Sequence, residues 1–287
     1  MDVGPPGAVN GGLIPLDVAE TGALEYLHLI CKLLWPAPSV VTLEGRGWRR
    51  SLGTPRTPPP GWVDSHYALV PGIGRPPLLV PDMDRVAASA VRYFNGQRTF
   101  KVKLTTKVFS LCLASGLGST LYRGRVRVST PPGAESIETY LRGIVCQDVQ
   151  VSMSVGPPRA NRKPVLQLLT PVGEPVAFAK IGTTPLTCDL VRDEHAALTS
   201  VGQAKLNRIT VPRVLHNDQW NGLGVLVLSP LPVWRHRRAL GATELAAAMN
   251  QVARMNGLQT GPLRDSDYLR RLRNRIRAIE QAPERTA

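Results

Sequence analysis

The pattern of apolar and polar positions changes at Gln147. Before it, the longer runs are helical. Leu24, Leu27 and Leu34 share one side of a stretch over 20–34 that ends before Pro36, and further helices are predicted over 83–94, over 101–114 and from Thr130-Pro131-Pro132-Gly133 to Arg142. A loop rich in Gly, Arg and Pro runs from Pro36 to about Trp62, stiffest at Pro58-Pro59-Pro60. Runs over 67–70 and 77–80 can pair across Pro71-Gly72-Ile73-Gly74, and Arg125-Val126-Arg127-Val128 alternates as a half-buried strand does. Residues 1–18 contain Gly-Pro-Pro-Gly and Asn-Gly-Gly and are expected to lack regular structure.

Just after Gln147 the chain alternates. Val149, Val151, Met153 and Val155 alternate with Gln150, Ser152 and Ser154, which predicts a strand leading into a donor-rich loop over 156–164. A hairpin follows over 165–169 and 176–181, its turn built on Pro171, Gly173 and Pro175. Then come a helix over 190–198 and strands over 213–215 and 225–228. Beyond Pro232, helices are predicted over 243–255 and 266–281. In the last, Leu269, Leu272, Ile276 and Ile279 lie along one side, and Arg270, Arg271, Arg273, Arg275 and Arg277 largely cover the rest.

Composition narrows the class. With 287 residues and an apolar fraction of 43%, the chain can bury two modest cores, while 26 glycines and 26 prolines imply many turns. A net charge of +14 suits anionic partners, although an excess of arginine with abundant Ala, Gly and Pro is equally what a GC-rich coding bias yields. Cys31, Cys112, Cys146 and Cys188 are widely spaced with no CxxC, which fits a reducing cytoplasm better than a disulfide scaffold or zinc site. No basic segment followed by an apolar core opens the chain, and the apolar run near 223–234 is broken by Ser229, Pro230 and Pro232. A cytoplasmic protein without a membrane partner is predicted.

The chemistry centres on Lys180, which ends the run Val176-Ala177-Phe178-Ala179, and on Glu194 in the following helix. A strand lysine followed by a helix glutamate is how kinase-type enzymes set an ammonium against nucleotide phosphates and hold it with a carboxylate. Taken singly, each residue is ordinary: a solvent-facing lysine at a strand end, a solvated helix carboxylate. Three strands, a helix and two strands around them make the pair more informative. From about 147 to the neighbourhood of Arg277 the chain resembles the nucleotide-binding lobe of aminoglycoside phosphotransferase-like proteins, a branch of the protein-kinase-like fold. The stretch 156–167 is similar to uncharacterised bacterial members that carry an accessory N-terminal region.

The resemblance covers rather less than half of the chain and implies an α+β fold. A kinase-like N-terminal lobe at 147–234, with a five-stranded antiparallel sheet plus one helix, would be preceded by a mostly helical accessory region at 19–146. Helices at 235–287 would lead towards an absent catalytic lobe. Lys180 would contact the α- and β-phosphates of ATP, and Glu194 would pair with it. The backbone of the connector after 225–228, at Ser229 and Leu231, would bind the adenine edge. The loop over 156–163 departs from G-x-G-x-x-G, having one glycine and two prolines. Arg159, Arg162 and Lys163 could supply side-chain charge in place of amides, or form an exposed basic turn.

Two segments imitate catalytic motifs. His216-Asn217-Asp218 resembles the start of H-x-D-x-x-x-x-N, but Asn221 follows the aspartate by three positions instead of five, and the segment precedes the connector. Asp265-Ser266-Asp267 suits a helix cap and first-turn charge better than a magnesium pair. No catalytic base or metal ligand is therefore predicted, and magnesium is not supported by the residues present. The expectation is the ATP-binding lobe of a truncated phosphotransferase-like protein, inactive alone, with a nucleotide and a second chain supplying the catalytic lobe as partners. The alternative is a non-catalytic basic protein contacting nucleic acid or a partner chain through the Arg-rich helix. Nucleic acid is the weaker of those two partners, because aromatics for stacking are scarce at 5%.

Overall fold

The computed structural model describes residues 23–45, 58–72, 75–95, 124–157, 159–204, 206–232, 241–255, 257 and 261–281. In chain order these form α1 (Ala23–Leu34), β1 (Val40–Gly45), β2 (Val63–Gly72), β3 (Arg75–Pro81), α2 (Asp84–Asn95), β4 (Gly124–Thr130), α3 (Ile137–Val145), β5 (Gln150–Ser154), β6 (Val165–Leu169) and β7 (Pro175–Gly182). They continue with α4 (Pro185–Gln203), β8 (Val214–Trp220), β9 (Leu223–Leu228), α5 (Ala242–Ala253) and α6 (Asp267–Glu280). The strands make one antiparallel sheet in the order β1-β4-β2-β3-β5-β6-β7-β9-β8.

The α+β class stands, but the sheet has nine strands where five were expected. The join is β3 on β5, through Leu78↔Ser154 and Leu79↔Met153, and it carries the sheet across the change of pattern at Gln147. Among the described residues the segment before Gln147 supplies four strands alongside three helices, so it is mixed and not mostly helical. The unforeseen strand is β1, assigned above to the loop. Val40-Val41-Thr42 is β-branched and favours an extended backbone, and all six residues pair with β4. The helix predicted over 101–114 and the unstructured 1–18 lie outside the described residues.

Residues directly opposite one another on antiparallel strands share a face. On one face Tyr67, Leu79, Val126, Val151, Met153, Leu166, Ala179, Val225 and Val227 form the main core with Tyr26, Leu27, Ile30 and Leu34 of α1 and Ile137 and Leu141 of α3. Helix α3 starts once Pro131-Pro132-Gly133 have turned the chain. Its Ser136 and Thr139 cap each other, the Thr139 N–H donating to Ser136 Oγ and the Ser136 N–H to Thr139 Oγ1. Within this core the Tyr67 hydroxyl donates to Glu138 Oε1, and burial pushes the Glu138 carboxyl above the usual carboxylate range.

The opposite face is covered in two places. Val86, Ala87, Ala90 and Val91 of α2 pack on Ala68, Val70, Leu78, Val80 and Leu169. Val191 of α4 packs on Leu226 and Leu228 of β9. Between these patches, β5, β6 and β7 present Ser152, Gln167, Phe178 and Lys180 on this face.

A second compact unit combines 204–210 with 239–287. In it, Gln251 of α5 accepts from the Arg208 N–H at 3.2 Å and donates to Asn207 Oδ1 at 2.8 Å. Ser266 Oγ caps α6 by accepting from the Leu269 N–H at 3.2 Å, and Asp267 pairs with Arg270 in the first turn. Leu272 and Ile276 of α6 are exposed. Among the described residues, no helix is long and apolar enough to cross a membrane.

Candidate functional site

Strand β7 alternates, so Phe178 and Lys180 lie on the face that carries α2 and α4 while Ala177, Ala179 and Ile181 enter the main core. Helix α4 begins with Pro185 in its first position and a reciprocal threonine cap. The Thr187 N–H donates to Thr184 Oγ1 at 3.2 Å, and the Thr184 N–H to Thr187 Oγ1 at 2.8 Å. Gly182 fixes how near this helix lies. A Cβ there would sit 2.8 Å from Cys188 Cα and Cys188 N, so the strand end and the helix backbone touch directly. Gly224 is its partner across the β7–β9 pair and also lies under Cys188.

That crossing brings Glu194 over Lys180. Lys180 Nζ donates to Glu194 Oε1, and Lys163 Nζ lies 3.8 Å from Glu194 Oε2. Lys180 and Glu194 remain 30% and 27% exposed, and ion pairs in such settings contribute about 0–1 kcal/mol, so stability alone does not explain the cluster. Burial lowers the Lys163 pKa, opposed by the Glu194 carboxylate and reinforced by the Lys180 ammonium. Two ammonium groups against one carboxylate leave an excess of positive charge. A compact, strongly hydrated charge of this kind suits phosphate oxygens.

The three basic residues of the 156–163 loop part company. Lys163 joins the cluster. Arg159 is exposed, and its carbonyl accepts from the Arg162 N–H at 3.0 Å. Arg162 turns inward instead of towards an anion. Its Nε donates to the Val155 and Gly156 carbonyls at 3.0 and 3.1 Å, and its guanidinium lies 3.6 Å from the Tyr26 ring centroid on α1. The carbonyls at the end of β5 need donors once the ladder stops, and a planar guanidinium satisfies both while stacking on the ring.

The connector is already engaged. The Ser229 N–H donates to the Arg213 carbonyl at 2.9 Å, and Ser229 Oγ accepts from the Arg213 N–H at 2.9 Å. The Leu231 carbonyl accepts from the Tyr93 hydroxyl of α2. The Tyr93 ring packs against Phe178 at a tilt, with centroids 4.7 Å apart and planes at 33°. Burial pushes the Tyr93 phenol up to about 12, which keeps it a donor at neutral pH. Sequence reasoning missed Tyr93. Its helix was legible, but its partners lie 85 and 138 positions away, and no local pattern encodes them.

His216 lies within β8, where Nε2 bonds the Tyr140 hydroxyl at 3.0 Å, ahead of the tight Asn221-Gly222 turn. Among the described residues no group of three or more His, Cys, Asp or Glu could hold a metal ion. Comparison of the chain with protein-family models, curated proteins and solved structures finds no match in any of the three. The functional reading therefore rests on the arrangement of Lys163, Lys180, Glu194 and the connector.

Proposed function

We propose that β5 to β9 with α4 form a kinase-like lobe that binds a nucleotide, ATP on the resemblance described above. The observation that carries this reading is the ion pair from Lys180 on β7 to Glu194 on α4, with Lys163 as a second cation on the same carboxylate. In phosphotransferase-type sites a carboxylate aims the lysine at the α- and β-phosphates. The phosphate end of a nucleotide fits these residues as they stand, with Lys163 adding charge that a glycine-rich loop would supply through amides. The base end would lie along the connector at Ser229 and Leu231.

Phosphoryl transfer also needs a base and metal ligands, and the pattern H-x-D-x-x-x-x-N does not occur in the sequence. The reading is thus of nucleotide binding in a phosphotransferase-like protein, with chemistry dependent on a base and metal ligands that these residues do not supply. A ligand that binds only the native state raises its apparent stability, so Mg-ATP should raise the melting temperature. Lys180→Met should weaken ATP binding in calorimetry, and equal affinity for variant and parent would overturn the proposal.

A second reading is favoured by the exposed Leu272 and Ile276 on the arginine-rich α6, an apolar stripe with cationic flanks that fits a partner chain better than nucleic acid. Nucleic-acid binding would instead weaken steeply with salt, and a flat salt titration in filter binding would exclude it.

A further inference from the structure

We propose that Tyr93 occupies the place of the purine, so that the site carries its own plug and an adenine nucleotide binds by displacing it. This rests on the nucleotide-binding reading above and adds to it both a regulation and a choice of base.

Helix α2 is pinned where it crosses the β6–β7 turn. Ser89 Oγ donates to the Gly173 carbonyl at 2.5 Å. Gly173 has φ +88, and a Cβ on it would stand 3.0 Å from the Arg85 carbonyl oxygen, so helix and turn meet backbone to backbone. One turn beyond Ser89, Tyr93 reaches over β7. Its ring lies on Phe178, two positions before Lys180 on the same face, and its hydroxyl bonds the Leu231 carbonyl. A flat aromatic ring thus rests on the lysine strand and donates one hydrogen bond to the connector backbone. An adenine anchored by phosphates at Lys180 would use the same two contacts, stacking on Phe178 and donating from its exocyclic amine. Guanine presents a carbonyl oxygen at the corresponding edge and would oppose the Leu231 carbonyl.

Gln167 supplies an independent sign that something else fits here. It lies directly across from Phe178 and is fully buried. Its Oε1 accepts from Ser152 Oγ at 3.4 Å, but its Nε2 has no partner among the described residues. A buried amide donor without an acceptor is unfavourable. Apart from its hydroxyl, which lies at the Leu231 carbonyl, the Tyr93 ring carries no acceptor, whereas a purine carries ring nitrogens.

The test uses the full chain in calorimetry with ATP and GTP, comparing the parent with Tyr93→Ala, Tyr93→Phe and Lys180→Met. Removing the plug frees the purine from displacing an aromatic contact and a hydrogen bond, so Tyr93→Ala should bind ATP about tenfold or more tightly than the parent. Tyr93→Phe keeps the ring, loses the bond and should fall between them, and ATP should be preferred to GTP throughout. If Tyr93→Ala does not fold, Tyr93→Phe decides: tighter binding than the parent supports the plug, and equal binding overturns it. Equal ATP affinity in parent and Tyr93→Ala, with Lys180→Met still weaker, overturns the plug and leaves the site intact. Absence of ATP binding in parent and both Tyr93 variants overturns both readings.

Discussion

One face of the sheet carries the row Leu166, Ala179 and Val227 beneath α1 and α3; one residue out of step, the other carries Gln167, Phe178 and Leu228, and next to it Val165, Lys180 and Leu226. The first row is apolar and belongs to a continuous core. With Ser152 opposite Gln167, the second mixes buried polar groups with an aromatic and a half-buried cation. Polar side chains in a covered strand row cost stability unless paired, so their concentration between α2 and α4 marks the face where binding chemistry is expected. On the proposed reading, the same strands serve two ends, cohesion on one side and recognition on the other.

If that division is right, substitutions on the two faces should separate stability from ligand affinity. The largest loss is expected from Leu166→Ala, about 2–5 kcal/mol for a buried leucine, measured by urea denaturation of the unliganded protein. A loss well under this range would mean the apolar face is not the chief source of cohesion. Gly182→Val should cost about 1–3 kcal/mol by overpacking and also reduce ATP binding, because α4 must move and take Glu194 with it. Gly224→Ala is its control. There the added carbon meets Cys188 Sγ at 3.5 Å, an ordinary contact, and near-neutral behaviour is expected; equal damage from both would refute the close-approach argument.

Glu138 gives the comparison a pH dependence. Burial raises its carboxyl pKa, so the folded state holds a proton where the unfolded chain has released it. That contribution is fully present below the unfolded pKa and is lost as pH rises through the folded one. Glu138→Gln keeps an acceptor for Tyr67 without the titration. It should gain stability on the parent as pH rises from acid to neutral, and a difference independent of pH would contradict this. A small stability change is also expected for Lys180→Met, within about 1 kcal/mol, despite the loss of ATP affinity expected of it. A larger loss would make the cluster a structural feature.

Much of the fold was legible because it is locally encoded. The strand at 149–155 follows from a period of two, the hairpin of β6 and β7 from short apolar runs about a turn on Pro171, Gly173 and Pro175, and α6 from apolar spacing. Leu78↔Ser154 was not legible, since pairing between strands distant in sequence leaves no local signature. The site divides likewise. Lys180 and Glu194 could be placed on a strand and a helix, and the structure brings them together. Lys163 and Arg162 are adjacent loop cations, and which one turns inward depends on Tyr26, 136 positions from Arg162. Tyr93 was hidden for the same reason.

The stacking of Arg162 on Tyr26 bears on how this architecture can be divided. A fragment excised at Gln147 would leave the guanidinium without its aromatic platform and expose Val151, Met153 and Leu166 to water. The residues ahead of the change of pattern are therefore no detachable appendage. They complete the floor on which Lys163 stands, and a smaller folding unit should be sought by trimming elsewhere.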